Sequence, residues 1–160
     1  ADPYGVDTVR VMTAQDMADA VMQAADKADV IIKAAAVSDF RPQQVAADKV
    51  KKVEAQLSIP LEHTTDILAE LGKIKKKGQI LVGFAAETRD LEQHATKKLA
   101  EKHLDLIAGN IVGAGDTGFN TDTNKIRLFF KDGSSKDLPL MQKDAAAHLL
   151  LDRIAELDRQ

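Results

Sequence analysis

Three groups of lysine residues stand out in a chain whose overall charge is negative. Lys49, Lys51 and Lys52 lie in a long segment without regular pattern, and a second group occupies 73–77 at the end of a predicted helix. A flexible lysine can close over a polyphosphate and neutralise charge that builds during phosphoryl or nucleotidyl transfer. The loop group therefore fits either an anion clamp or a solvated loop, and both remain open. Lysines at a helix C-terminus are usually solvated.

The third group of lysines lies on the next predicted helix. Lys98 and Lys102 are four residues apart, so they share one helical face. Exposed lysines on a helix usually make only weak ion pairs. On spacing alone, this pair is therefore interpreted as solvated surface.

Small and polar residues follow two of the apolar segments. Ala34, Ala35 and Ala36 would let a ligand approach the backbone closely. Asp39 could accept hydrogen bonds from a base or a ribose, and Phe84 could stack on a base. The purely structural alternatives are tight packing of the alanines, a turn at Asp39 and a core position for Phe84.

Two threonines, Thr64 and Thr65, precede another predicted helix. Free backbone N–H groups at a helix N-terminus bind anions. A threonine side chain at the same place also serves as a simple cap. The sequence allows both roles.

Motifs of several enzyme classes are absent from the sequence. The chain has no cysteine, which excludes disulfides, thiolate zinc sites and thiol nucleophiles. It contains no Walker or G-x-S-x-G motif. Its four histidines show neither H-x-H nor H-x-x-x-H spacing, which argues against a zinc site.

Apolar segments that alternate with helical patterns predict a parallel sheet. The predicted strands are Val9–Met12, Val30–Ala36, Ile80–Phe84 and Leu104–Ala108. The predicted helices run from Thr13 to about Lys27, Thr65 to Ile74, Leu91 to His103 and Asp144 to Leu157. A β-hairpin is predicted from Ile126–Phe130, the turn Asp132-Gly133 and Lys136–Leu140. The expected fold class is α/β, a Rossmann-like three-layer parallel sheet with an antiparallel β-hairpin at one side.

The helix patterns also predict caps and buried faces. Thr13 is the predicted N-cap of the first helix, with Asp16 three residues on. The predicted buried face of that helix consists of Met17, Ala20, Val21 and Ala24. In the last helix it consists of Ala147, Leu150, Leu151 and Ile154. The strand at 30–36 is nearly all apolar, which predicts cover on both faces.

Length and composition indicate one globular domain, residues 1–160. Hydrophobic residues make up 44% of the chain, enough for a core. The 22 Lys+Arg against 25 Asp+Glu argue against a general nucleic-acid binder. No apolar run approaches the roughly 18 residues of a membrane span, and no leader is visible. We therefore expect a cytoplasmic protein without a nucleic-acid or membrane partner.

Two long segments, Phe40–Leu61 and Gly109–Asn124, lack a regular pattern. Long loops inside a compact domain are often functional. Both begin where predicted strands end, and ligands of parallel α/β sheets bind beyond the carboxyl ends of strands. The residues alone therefore predict an anionic ligand, such as a nucleotide, at that edge of the sheet.

Five motifs, taken in order, resemble bacterial phosphopantothenoylcysteine synthetase, usually the C-terminal half of a bifunctional coenzyme A biosynthesis flavoprotein. They are Ala34–Pro42, Lys49–Lys52, Asp66–Leu68, Gly83–Thr88 and Gly118–Asn124. Their order and spacing match the family from about Val9 to Leu157. Each motif alone is a weak signal, whereas five in order are specific.

The resemblance implies a CTP-dependent ligase. CTP would activate the carboxylate of 4′-phosphopantothenate as an acyl-cytidylate with the help of Mg²⁺, and cysteine would then displace CMP. Lys49, the first residue of the family's K-x-K-K motif, would be catalytic, and no residue is assigned to a metal. The implied nucleotide-binding residues are Ala34, Ala35, Ala36, Asp39, Lys49, Thr64, Thr65, Phe84, Lys98 and Lys102. For Lys98 and Lys102 the resemblance thus implies nucleotide binding, whereas their spacing alone was interpreted as solvated surface.

The resemblance also implies partners beyond this chain. Gly118–Asn124 and the following hairpin would form a homodimer, and a flavin-dependent decarboxylase, which alone holds FMN, would precede the domain in the full-length protein. The family's N-terminal βα units, with a Gly-rich turn and a substrate-binding Asn, have no counterpart before Ala1. A fragment with an incomplete phosphopantothenate pocket is therefore expected.

Two alternatives remain open. One is an NAD(P)-binding Rossmann-like oxidoreductase, which the fold alone suggests. The other is a non-catalytic dimerisation fragment.

Overall fold

The computed structural model of the chain describes residues 2–45, 48, 58–87, 90–111 and 122–159. Its helices are α1 (Ala14–Ala25), α2 (Ile67–Ile74), α3 (Leu91–Glu101) and α4 (Lys143–Asp158). Its strands are β1 (Val30–Lys33), β2 (Phe40–Pro42), β3 (Leu61–His63), β4 (Ile80–Glu87), β5 (Leu106–Ile111), β6 (Thr123–Asn124), β7 (Ile126–Phe130), β8 (Ser135–Asp137) and β9 (Met141–Gln142). The segment Phe40–Leu61, expected to lack regular structure, thus contains strand β2 and the first residue of β3.

A five-stranded sheet in the order β1-β4-β5-β7-β8 forms the centre of the fold. Strands β1, β4 and β5 are parallel, while β7 runs antiparallel to β5 and β8 antiparallel to β7. The β7–β8 turn contains Gly133 at φ +85°, a conformation that glycine adopts without strain. The predicted α/β class and the hairpin at one side of the sheet are therefore confirmed.

Two hydrophobic clusters lie on opposite faces of the sheet. Alternate residues of β4 belong to different clusters. Leu81 and Ala85 pack with α1, α2 and α3. Ile80 and Val82 pack with α4 on the other face. The three middle strands each contribute a side chain that is 0% exposed: Val82, Leu106 and Leu128. The chain therefore has the predicted three layers of helix, sheet and helix.

The first helix begins as the sequence predicts. Thr13 Oγ1 accepts a hydrogen bond from the Asp16 N–H at 3.0 Å, and the Asp16 carboxylate accepts one from the Thr13 N–H at 2.9 Å. These bonds lower the pKa of Asp16. The reciprocal pair satisfies N–H groups that have no partner within a helix.

The predicted buried faces of α1 and α4 are partly wrong. In α1 the fully buried residues are Ala18 and Ala25, and Ala24 is exposed. In α4 they are Ala146, Leu150 and Ile154, while Ala147 and Leu151 are exposed. Both helices carry adjacent apolar residues, so two neighbouring stripes have helical spacing and only packing against the sheet selects one of them.

Two strand predictions also need correction. Val9–Met12 forms no strand, and Val9 and Met12 are 71% and 95% exposed. A strand needs a neighbour for its backbone groups, and no described strand pairs with this segment. The second predicted strand ends at Lys33 rather than Ala36, and it is an edge strand with Ile32 40% exposed rather than one covered on both faces.

No helix within the described ranges is both long enough and apolar enough to cross a membrane.

Candidate functional site

A cleft of about 730 Å³ opens at the carboxyl end of the sheet. It exists because β1 and β4 separate there. Their pairing ends with Lys33 beside Gly83, whereas β4 continues to Glu87. The segment after Lys33 no longer pairs with β4. Ala34–Ala36 and Phe84–Ala86 line the cleft that opens between them.

The cleft brings together nine of the ten residues that the family resemblance assigns to the nucleotide. Those that line it are Ala34, Ala35, Ala36, Asp39, Thr64, Thr65, Phe84, Lys98 and Lys102. Lys49 lies outside the described residues, as do Lys51 and Lys52, so the prediction for the lysine loop stays a prediction. Positions far apart in the chain thus share one concave surface, which is what a common ligand requires.

A two-stranded ribbon, β2 with β3, rises from one side of the cleft. At its base the Thr64 N–H and hydroxyl donate to the carbonyls of Asp39 and Ser38 at 3.0 and 2.5 Å. The rings of Phe40 and His63 contact each other across the ribbon with centroids 4.7 Å apart. These contacts fix Asp39 and Thr64 relative to each other.

The N-terminus of α2 is capped by Asp66 rather than by Thr64 or Thr65. One carboxylate oxygen of Asp66 accepts a hydrogen bond from the Ala69 N–H at 3.1 Å, and the other pairs with Lys102 Nζ at 2.6 Å. Burial acts to raise the pKa of Asp66, but the bonds from Lys102 and Ala69 and the charge of Lys33 outweigh it, so this pKa is lowered. Asp66 therefore stays ionised and links α2 to the end of α3.

A second contact fixes the same two helices. Gly72 of α2 faces the backbone carbonyl of Lys102 so closely that a Cβ at this position would overlap that oxygen. The backbone of α2 therefore packs directly against the backbone of Lys102, the residue that follows α3, and this contact fixes the position of Lys102. The lysine predicted as solvated surface from its spacing is only 22% exposed.

The cleft carries an excess of positive charge. Among its described lining residues, Lys33, Lys98, Lys102 and Lys143 face only two carboxylates, those of Asp39 and Asp66. Since the whole chain has a net charge of −3, this concentration of lysines is local. A concave surface with such an excess attracts anions.

Sequence reasoning missed several lining residues. Lys33 and Lys143 lie in the cleft, as do Asn110 of β5 and Asn124 of β6, whose side chains are 3.3 Å apart. Asn110 belongs to a predicted loop that instead continues β5, so only its position near a strand end could have drawn attention to it. Lys33 looked like part of an apolar strand.

Phe84 presents an aromatic ring to the cleft from strand β4. This ring is 37% exposed, so the core alternative for Phe84 is wrong. Phe84 lies opposite Ala108 in the β4–β5 register, and Ala86 lies opposite Asn110. An open aromatic ring beside small residues can accept a planar group by stacking.

Within the described ranges, no group of three or more histidine or acidic residues is arranged to hold a metal ion. The two carboxylates in the cleft, Asp39 and Asp66, are oxygen donors of the type that Mg²⁺ accepts together with substrate phosphates. They fit an ion that arrives on a polyphosphate rather than a resident metal centre.

Comparison with known proteins gives consistent relatives. Residues 1–157 match the model of the DNA/pantothenate metabolism flavoprotein C-terminal domain. The Coenzyme A biosynthesis bifunctional protein CoaBC of Bacillus subtilis is 49% identical over 159 residues, which cover 99% of this chain and 39% of the relative. The protein of the same name from Escherichia coli is 41% identical over 155 residues, 95% of this chain and 38% of the relative. The chain thus spans about two fifths of the length of these relatives.

Solved structures agree. A crystal structure of the C-terminal domain of CoaBC is 42% identical and superposes with a TM-score of 0.78, covering 97% of this chain and 69% of that one. A Cab2 variant in complex with phosphopantothenate-cysteine has a TM-score of 0.70 at 18% identity, covering 94% of this chain and 52% of that one, and shows a shared fold. The chain belongs to the DNA/pantothenate metabolism flavoprotein C-terminal domain family.

Proposed function

We propose that the chain is a CTP-dependent ligase domain that joins 4′-phosphopantothenate to cysteine in coenzyme A biosynthesis. One observation carries the proposal: nine predicted nucleotide-binding residues line a single cationic cleft in a chain 49% identical to a coenzyme A biosynthesis protein. In the first step the substrate carboxylate attacks the α-phosphorus of CTP, which forms an acyl-cytidylate and releases pyrophosphate. In the second, the cysteine amine attacks the acyl carbon, loses a proton and releases CMP.

The cleft suits the first step because that step separates a strongly charged leaving group. Lys98 and Lys102 line the cleft and would bind the phosphates, and the ion pair with Asp66 holds Lys102 in position. Fixed ammonium groups that face developing negative charge lower the barrier without having to reorganise. The catalytic role of Lys49 remains part of the proposal.

The base and the ribose would occupy the opposite side of the cleft. Phe84 offers a partly exposed ring for the cytosine, while Asp39 and the backbone of Ala34, Ala35 and Ala36 offer hydrogen-bonding groups and room for close approach. Thr64 and Thr65 lie beside the N-terminus of α2, where anions are favoured.

Mg²⁺ would enter with CTP, held by the nucleotide phosphates with Asp39 or Asp66. When bound, the ion neutralises charge on the departing pyrophosphate. The residues of the chain itself bind and orient the polyphosphate.

The wider setting is also proposed. We propose that a flavin-dependent decarboxylase that holds FMN is fused to this domain in the full-length protein, and relatives named bifunctional, of which this chain spans about two fifths, support a second activity. We further propose a cytoplasmic homodimer, with Gly118–Asn124 and the following hairpin at its interface.

The decisive experiment measures CTP against ATP binding by calorimetry in the presence of Mg²⁺. We expect CTP to bind more tightly by on the order of tenfold or more, because the base contacts distinguish the two nucleotides. Lys49→Gln should retain CTP binding and lose turnover when both are measured in a protein of the full length of the relatives.

Equal binding of the two nucleotides would contradict the CTP assignment. Full turnover by Lys49→Gln would reject the assigned catalytic role. Tight NADPH binding that CTP does not displace would favour the oxidoreductase instead.

A further inference from the structure

Lys33 is the last residue of β1 and the first residue of the cleft. Its neighbour by alternation, Ile31, packs against the cluster formed with α1, α2 and α3, so the Lys33 side chain projects toward the same helices. It is half-buried and lines the cleft with Lys98 of α3 and with Lys102, the residue that follows α3. Three ammonium groups from two separate elements therefore share one wall.

The environment of Lys33 contains charges of both signs. Burial lowers the pKa of Lys33, the ammonium groups of Lys102 and Lys98 lower it further, and the carboxylates of Asp66 and Asp39 oppose the change. Within the part of the chain that the structure describes, these four residues are the charged groups that face Lys33, from the α2 N-terminus, from α3 and its C-cap, and from the segment after β1. The net result is a lysine whose charge is poorly compensated.

The hydrogen bonding of Lys33 agrees with this. Its ammonium donates to the Ala35 carbonyl at 3.1 Å and forms no ion pair with a described residue. Lys102, by contrast, is paired with the carboxylate of Asp66. A partly buried ammonium that is bonded only to a neutral carbonyl keeps much of its desolvation cost, which an arriving anion would offset.

We propose that Lys33 is a third lysine of the anion site, which binds a phosphate group of the nucleotide directly. Its hydrogen bond passes from the Ala35 carbonyl to a phosphate oxygen, so no existing ion pair has to break. The nucleotide identity of the anion rests on the proposed function, whereas the phosphate contact rests on the cleft itself.

This change of hydrogen-bond partner by Lys33 would also link phosphate binding to the conformation of the segment after β1. In the free protein, Lys33 tethers the Ala35 carbonyl and so holds the alanine segment that lines the same cleft. Binding of a phosphate by Lys33 releases this carbonyl, and the segment becomes free to adjust to the rest of the ligand.

The test compares variants of Lys33 in calorimetric titrations with tripolyphosphate and with CTP, both with Mg²⁺. Lys33→Met keeps the length of the side chain and removes its charge, and we expect it to weaken binding of both probes on the order of tenfold. Lys33→Arg should restore most of the affinity. Lys97→Met is the matched control on α3, because Lys97 is 68% exposed, pairs with Glu101 and does not line the cleft.

A second readout separates direct binding from a merely structural effect. An anion beside Lys33 raises its lowered pKa, so binding at alkaline pH, below the usual lysine pKa of about 10.4, should take up protons, measured as heats in buffers of different ionisation enthalpy. We expect wild type and Lys97→Met to take up protons, and Lys33→Met and Lys33→Arg to take up fewer.

The outcomes distinguish this inference from the proposed function. Unchanged tripolyphosphate affinity in Lys33→Met, or weakened affinity with undiminished proton uptake, overturns the role of Lys33 while CTP binding by wild type still supports the ligase. Tripolyphosphate binding that depends on Lys33 in a chain that does not bind CTP supports Lys33 and rejects the ligase. A wild-type chain that binds neither probe overturns both.

Discussion

The two ends of the central sheet use the same residue types in opposite ways. At the amino end of β5, Asp105 is 3% exposed and accepts hydrogen bonds from the Leu81 N–H at 2.8 Å and from Lys131 at 2.9 Å, as well as from Lys75. At the carboxyl end, four lysines face two carboxylates and Lys33 has no ion-pair partner among the described residues. Charges that are fully compensated stabilise the fold, and an excess of one sign prepares a surface for a ligand.

The largest effect on stability is expected from a substitution at Asp105. Asp105→Asn keeps the shape of the side chain but leaves two ammonium groups beside a neutral amide, so we expect the free energy of unfolding to fall by about 3 kcal/mol. Denaturant titration measures this loss. Asp137→Asn is the control, because its side chain is 71% exposed at a long ion pair with Arg127 and the change should cost under about 0.5 kcal/mol.

If Asp105→Asn lowers the free energy of unfolding no more than the control does, the ion pairs of Asp105 at the amino end of the sheet do not stabilise the fold. The effect of Asp105→Asn on tripolyphosphate binding should be small, because Asp105 lies at the opposite end of the sheet.

Acidification should lower the free energy of unfolding by a smaller amount. Burial acts to raise the pKa of Asp105, but the bonds from Lys75, the Leu81 N–H and Lys131 outweigh it, so its pKa in the folded chain is lowered. A carboxyl with a lowered pKa contributes stability that is complete above its unfolded value of about 3.9 and is lost as pH falls through the folded value. The free energy of unfolding should therefore decline below about pH 4.

Denaturant titrations across this pH range check the expectation. The decline should be shallower in Asp105→Asn, and the part that persists belongs to Asp16, Asp66 and Asp132, whose pKa values are also lowered. Identical pH profiles for the variant and wild type would show that Asp105 is not the main source.

The smallest effect concerns Asp66 at the cleft. Asp66→Ala removes the N-cap of α2 and should lower the free energy of unfolding by about 1 kcal/mol. Asp66→Asn keeps an oxygen for the Ala69 N–H and loses only a half-exposed ion pair, so its cost should stay within about 0.5 kcal/mol. Thermal or denaturant unfolding of the two variants measures the difference. Equal losses would mean that the pair with Lys102, rather than the cap, carries the stability.

Local chemistry accounts for what the sequence predicted well. The Thr13–Asp16 capping box and the Asp132-Gly133 turn need only neighbouring residues, and the apolar segments of β4 and β5 need only burial on both faces. These features were therefore readable without tertiary information.

The errors arise where a third element decides the outcome. Which stripe of α4 is buried depends on the sheet, since Leu149, Leu150 and Leu151 are chemically alike. The Val9 segment needed a partner strand, and the importance of Lys33 depends on where β1 leaves β4. Only the family resemblance assigned Lys98 and Lys102 to a ligand site, because their spacing is the same as that of any solvated pair; both line the cleft.

The early separation of β1 from β4 has a consequence of its own. Beyond Gly83, strand β4 presents main-chain donors and acceptors on a side where no described strand bonds to them. Groups of this kind belong to the polypeptide itself, and no ordinary side-chain replacement removes them, proline excepted. A ligand that reads this open rim would be recognised in a way that tolerates drift in the surrounding side chains.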